Sequence, residues 1–139
     1  MKENELTREI IAAAMRVHSA LGPGLLESAY EACLAHELSR HGLAFERQKA
    51  LPVMYDGIQI DCGYRIDLLV NDSVMVELKA VDVLLPIHHA QLLSYLRLSG
   101  KTLGLLINFH EAHLRDGIVR KINHPRRTSE PSAVQHVSP

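Results

Sequence analysis

The sequence predicts an α/β (α+β) domain in which a central mixed sheet is flanked by helices. Three observations lead there. Two stretches near the start repeat apolar residues at close to 3.6 residues, the middle of the chain alternates between turn signals, and a third helical stretch precedes a continuous apolar run. In order the elements read α-α-β-β-β-β-α-β-β, and 139 residues give such a domain enough length to bury a core.

The first helix is expected over residues 5–20, where Ile10, Ala13, Ala14, Val17 and Leu21 recur at helical spacing. Gly22 can cap it and Pro23 stops it. The second helix, LLESAYEACLAHELSRHG, ends near Gly42. Two β-type segments, FERQKALPVMY and IQIDC, lie around the turn signal Asp56-Gly57, and Pro52 makes the first of them an edge or irregular strand. A hairpin follows in YRIDLLVNDSVMVELKA, then a connection, VDVLLP. The third helix, PIHHAQLLSYLRLSG, begins at Pro86, which suits a first turn, and ends at Gly100. TLGLLINF reads as a buried strand and residues 117–122 as a last edge strand. Residues 1–123 thus form one expected domain, and the Pro- and Ser-rich residues 124–139 an expected disordered tail.

Composition narrows the class. Hydrophobic residues are 47% and charged residues 22%, ordinary for a globular protein, and no apolar run reaches the roughly 18 residues of a membrane span. The charged start, MKENELTREI, lacks the apolar core of a signal peptide, so a cytoplasmic location is expected. Cys33 and Cys62 have no CxxC spacing and read as small buried hydrophobes. The net charge of −1 argues against tight, non-specific coating of nucleic acid, yet leaves room for a local basic patch.

The hairpin carries the functional signal. Ile66, Leu68, Val70, Val74, Val76 and Leu78 alternate onto one apolar face expected to pack on a helix, leaving Asp67, Leu69, Met75, Glu77 and Lys79 on the other. A turn at Asn71-Asp72-Ser73 would pair Val70 with Val74, setting Asp67 opposite Glu77 and Arg65 opposite Lys79. Two carboxylates about 4.5–5.5 Å apart at Cβ repel unless a cation lies between them. A Mg²⁺ or Mn²⁺ ion, which prefers oxygen ligands, would resolve the repulsion; a salt-bridge cluster, Asp67–Lys79 or Glu77–Arg65, is the alternative. Two other features join it. In GLLESAY, Glu27 lies in the first turn of the second helix, where the helix dipole favours an acid, and Tyr30 could orient it. In HHAQLLSYL, His88, Gln91 and Tyr95 form one polar stripe on a helix otherwise rich in leucine. The remaining histidines show no ligand spacing.

These residues resemble a known family. GLLESAY reads as Gly-x-x-Glu-x-x-Tyr, the signature of the GxxExxY proteins, and RIDLLV, VELKAV, HHAQLLSYL and GLLINF resemble that family's later blocks, so the likeness runs over about residues 5–123. The family is similar to a branch of the PD-(D/E)XK nuclease superfamily. The resemblance implies a restriction-endonuclease-like core and a Mg²⁺-dependent phosphodiesterase centre. It implies that Asp67 is the metal-binding acid, that Glu77 and Lys79 are the acid and lysine of the (D/E)-x-K element, and that Glu27 is the helix-borne acid of resolvase-like members. Gln91 and Tyr95 resemble the Q-x-x-x-Y element, and Ile66 stands where the superfamily name has Pro.

The expected function is therefore metal-dependent hydrolysis of phosphodiester bonds in nucleic acid, DNA ahead of RNA. Asp67, Glu77, Glu27 and the carbonyl of Leu78 would hold Mg²⁺ or Mn²⁺, Lys79 would serve the water or the phosphate charge, and Gln91 and Tyr95 would support it. Arg65, His88 and Tyr30 are the expected substrate-side neighbours. The rival reading is a catalytically silent nuclease fold used for binding or assembly; a carboxylate-pair glycosidase would leave Lys79 and Gln91 without a reason. So small a chain has little room for a separate reading domain, so substrate selection is expected to draw on a homodimer or a partner protein.

Overall fold

The computed structural model describes residues 1–124, so the tail expected over 124–139 lies outside the described residues except for His124. Two helices, α1 (Glu3–Leu21) and α2 (Glu27–Arg40), lead into β1 (Phe45–Ala50), β2 (Val53–Tyr55), β3 (Ile58–Ile60), β4 (Arg65–Val70) and β5 (Val74–Lys79). Then come α3 (Pro86–Ser99), β6 (Leu103–Asn108), a 3₁₀ turn (Leu114–Gly117) and β7 (Ile118–Ile122). There is one strand more than the sequence suggests. Pro52 cannot donate to a ladder, so FERQKALPVMY breaks there into β1 and β2. β2 instead pairs with β3 as a separate ribbon, turned by Asp56 and Gly57 at φ of 53° and 75°.

The main sheet has the order β1-β4-β5-β6-β7. β1, β4 and β5 are antiparallel neighbours, β5 and β6 are parallel, and β7 closes the far edge antiparallel to β6. A parallel pair needs a crossover, and α3 supplies it. Every residue of β6 is buried, as its unbroken apolar run requires. This mixed five-stranded sheet flanked by helices is the α/β architecture the sequence predicts, consistent with a restriction-endonuclease-like core.

Each face of the sheet has its own core. On one, Leu6, Ile10 and Val17 of α1 and Tyr30, Leu34 and Leu38 of α2 cover Leu68, Val70, Val76, Leu78, Leu105 and Ile107. On the other, Leu92, Tyr95 and Leu96 of α3 cover Leu69, Met75 and Leu106. Each fully buried aliphatic side chain contributes roughly 1.5–3 kcal/mol, so the helices on both faces stabilise the sheet between them. Two expectations change. Ile66 belongs to the α3-side core, away from Leu68 and Val70, because strict alternation breaks between them. Cys62 is exposed in the loop before β4, while Cys33 is only partly buried. No helix among the described residues is long and apolar enough to cross a membrane.

Candidate active site

β4 and β5 pair Val70 with Val74, Leu69 with Met75 and Leu68 with Val76. Asn71 and Asp72 make the turn at φ of 52°, a conformation their short polar side chains tolerate. That is the predicted register, but the backbone ladder ends at Leu68–Val76. Beyond it the carboxylates take over. Glu77 Oε2 accepts the backbone N–H of Asp67 at 2.9 Å, and Asp67 Oδ2 accepts the backbone N–H of Leu78 at 2.9 Å. The strands part, and each acid is tied to the other strand's backbone. Two acids that would repel as a plain cross-strand pair each gain a fixed N–H donor.

Burial dominates the electrostatics here. Glu77 is 4% exposed. Its burial, followed by the charge of Asp67, pushes its carboxyl up to about 8 from the ordinary 4.5. Asp67 is also raised, first by burial, with the Leu78 N–H and the Gln48 amide working the other way. The metal-free folded protein therefore keeps a proton on Glu77 between 4.5 and about 8, while the unfolded chain releases it. Folding stability should then fall as pH rises through that window. Melts in EDTA from pH 5 to 8 should show a falling Tm, and Glu77→Gln should flatten the slope; a Tm that rises with pH would contradict the assignment.

Lys79 closes β5 beside these acids. Its Nζ donates to Gln91 Oε1 at 3.0 Å, and Gln91 Nε2 donates to the Tyr95 hydroxyl at 3.2 Å. This chain runs from the strand end to α3, the polar stripe expected from HHAQLLSYL. Just past Lys79 the backbone is locked. Phe109 N–H donates to the Lys79 carbonyl at 2.8 Å, and the buried Asn108 side chain bonds both backbone groups of Val81. A cavity of about 440 Å³ opens beside Gln91, lined by Tyr64, Ile87, His88, Ser94 and Tyr95 among others. Its size lies within the usual range for ligand sites. A second cavity, of about 700 Å³ near His18 and Arg115, touches none of the hairpin acids.

The other predicted residues separate. His88 caps α3, its Nδ1 accepting the Leu85 N–H at 2.9 Å, while its side chain also borders the cavity. Arg65 is exposed at the start of β4 and makes no ion pair among the described residues. Tyr30 is a correction. It is 0% exposed and stacks on Phe109 with ring centroids 4.5 Å apart. Its hydroxyl donates to the Gly22 carbonyl at 2.6 Å and accepts the Leu25 N–H at 3.1 Å. It ties the α1–α2 loop to the core: its one proton goes to the Gly22 carbonyl, leaving none to give Glu27, and the ring is closed off from solvent. Glu27 stands exposed at the first position of α2, and the acid of that helix that enters the hairpin's network is Glu31, one turn on.

Glu31 lies within α2's buried face with Tyr30, Leu34, Ala35 and Leu38. Arg47 Nε reaches Glu31 Oε2 at 3.1 Å, and Gln48 Nε2 reaches Glu31 Oε1 at 2.6 Å and Asp67 Oδ1 at 3.2 Å. The sequence reading did not single out Glu31, Arg47 or Gln48. An acid on an otherwise apolar helical stripe was a legible signal for Glu31; nothing local marks Gln48.

The donor set suits a small hard cation. The two carboxylates and the carbonyl of Leu78 would offer it oxygen donors. No three His, Cys, Asp or Glu side chains among the described residues gather closely enough to cage an ion alone.

A family model described as the PD-(D/E)XK nuclease superfamily matches residues 4–121. No curated protein and no solved structure matches the chain.

Proposed function

Because the chain belongs to the PD-(D/E)XK nuclease superfamily, we propose that it is a divalent-metal-dependent phosphodiesterase acting on nucleic acid, DNA in preference to RNA. The observation that carries this is the parted hairpin, where Asp67 and Glu77 converge beside Lys79. Asp67, Glu77 and the Leu78 carbonyl would hold Mg²⁺ or Mn²⁺. When bound, the ion supplies acidification of water and neutralises charge at the scissile phosphate. Lys79, steered by Gln91, donates to the attacked phosphate or positions the water, and Tyr95 holds the Gln91 amide in place. Arg65 supplies an exposed cation for the phosphate backbone, and the cavity at His88 and Tyr95 accommodates the substrate beside the Lys79–Gln91 pair. Glu27, exposed at the N-terminus of α2, serves the helix dipole.

The Gly24-x-x-Glu27-x-x-Tyr30 string supports a place in the GxxExxY branch, with Tyr30 explaining the tyrosine of that signature as a loop anchor. The unit would be one nuclease-like domain over residues 1–123, working in the cytoplasm, with a homodimer or partner protein helping to select substrate. The test is a panel of labelled single- and double-stranded DNA and RNA with Mg²⁺, Mn²⁺ or EDTA. Ion-dependent cleavage is expected, and Lys79→Ala should lose it while keeping the ion-dependent rise in Tm. Neither a metal-dependent shift nor cleavage of any substrate would refute the nuclease reading. A shift without cleavage by the wild type would favour a binding or assembly module.

A further inference from the structure

Gln48 lies in the middle of edge strand β1 with φ of 50°. Among the described residues it is the one non-glycine residue with positive φ outside a turn. Such backbone is disfavoured for a residue of this kind, and it persists only where surroundings hold it. The register shows where the distortion falls. β1 pairs Arg47 with Leu68 and Lys49 with Ile66, and the pair between them, Gln48 with Asp67, is missing. Successive side chains of a regular strand point to opposite faces. Here Arg47 and Gln48, adjacent in sequence, both reach the same carboxylate, Glu31 of α2. The positive φ is what lets them. Glu31 is 7% exposed and both of its oxygens are occupied, so it anchors Gln48 from the helix side. From that anchor the Gln48 amide reaches across to Asp67 Oδ1, while the backbone of Leu78 holds Oδ2.

We propose that Gln48 is a positioning residue for the metal site: its strained backbone, held by the Arg47–Glu31 pair, aims the amide at Asp67 and fixes the orientation in which that carboxylate meets the ion. The inference rests on the nuclease reading of Asp67 and Glu77, and it adds three residues, Glu31, Arg47 and Gln48, that act through Asp67 and are not among the proposed ligands. The amide occupies one lone pair of Oδ1 and leaves the other free for the cation. Partners that orient a metal's carboxylate in this way typically change affinity about 10–100-fold when removed.

The test separates backbone from amide. Glycine adopts positive φ freely and asparagine tolerates it, but glycine has no amide and asparagine is one methylene too short to bridge Glu31 and Asp67. Gln48→Gly and Gln48→Asn are therefore expected to keep the metal-free Tm within a few degrees of wild type, since relief of strain offsets lost hydrogen bonds. Titrated with Mg²⁺ or Mn²⁺ and followed by melting, both should need about 10–100-fold more ion for the wild-type shift. A wild type that shifts with ion beside a Gln48→Gly that shifts at the same concentrations would overturn the role of Gln48 and leave the metal site intact. A wild type that never shifts overturns the metal site and this inference with it. Should Gln48→Gly lower the metal-free Tm sharply, Gln48→Asn carries the comparison, and an unchanged ion requirement in it refutes the proposal.

Discussion

Asp67→Asn and Glu77→Gln are expected to abolish both cleavage and the ion-dependent rise in Tm, while the metal-free protein stays as stable as wild type or becomes more so. The two effects have opposite signs for one reason. Each amide keeps an oxygen to accept the backbone N–H that the acid accepts, of Leu78 for Asp67 and of Asp67 for Glu77. Each removes a carboxyl that burial makes costly to ionise, and at Glu77 the charge of Asp67 adds to that cost. What disappears is the negative charge that an ion needs. Wild-type protein should gain about 2.7 kcal/mol when free ion is a hundredfold above its dissociation constant, and the variants should gain almost none of it. Loss of one electrostatic group at a reacting centre costs on the order of 10²–10³ in rate, and losing a ligand together with its metal should cost at least that. Melts with and without ion, alongside the cleavage panel, measure both. A variant that melts well below wild type without metal, yet still binds ion, would show that these acids serve the fold instead.

Tyr30→Ala should produce the largest loss of stability. A fully buried aromatic replaced by alanine costs about 3–5 kcal/mol, a drop in Tm on the order of 10–20 °C. The ring stacks on Phe109 between α2 and the end of β6, so its loss opens a cavity where two elements meet. Tyr30→Phe isolates the hydroxyl. It leaves the Gly22 carbonyl and the Leu25 N–H without that partner, at about 1–3 kcal/mol. The phenylalanine variant should keep its ion-dependent shift and its cleavage at temperatures below its lower Tm. Cleavage lost with Tm unchanged would return Tyr30 to a substrate role. Thermal or urea denaturation decides between them.

Much of this was legible in the residues. The order of elements follows from period and punctuation: helical repeats stopped by Gly22 and Gly100, an unbroken apolar run for the buried β6, and a turn at Asn71–Ser73 that sets the β4–β5 register. Strand alternation groups Asp67, Glu77 and Lys79, and helical spacing groups Gln91 with Tyr95, because both are local rules that a short stretch of sequence obeys; joining the two sets into one site rests on the family resemblance.

What only the tertiary structure decided depends on non-local competition. Sequence alternation implied a continuous ladder with two opposed acids; in the fold the ladder ends at Leu68–Val76 and the carboxylates replace its hydrogen bonds. Which acid of α2 enters the site depended on the helix's placement over the sheet, and that set Glu31 on the buried face and left Glu27 exposed. Tyr30 became a loop anchor because the chain folds the Gly22–Leu25 segment back over its hydroxyl. Gln48 is the clearest case. Its left-handed backbone opposes its own local preference, and it persists because Glu31 and Asp67, 17 residues before it and 19 after, hold its amide from two sides. Local preference is written in neighbouring residues; the force that overrides it comes from partners that only folding brings within hydrogen-bonding distance.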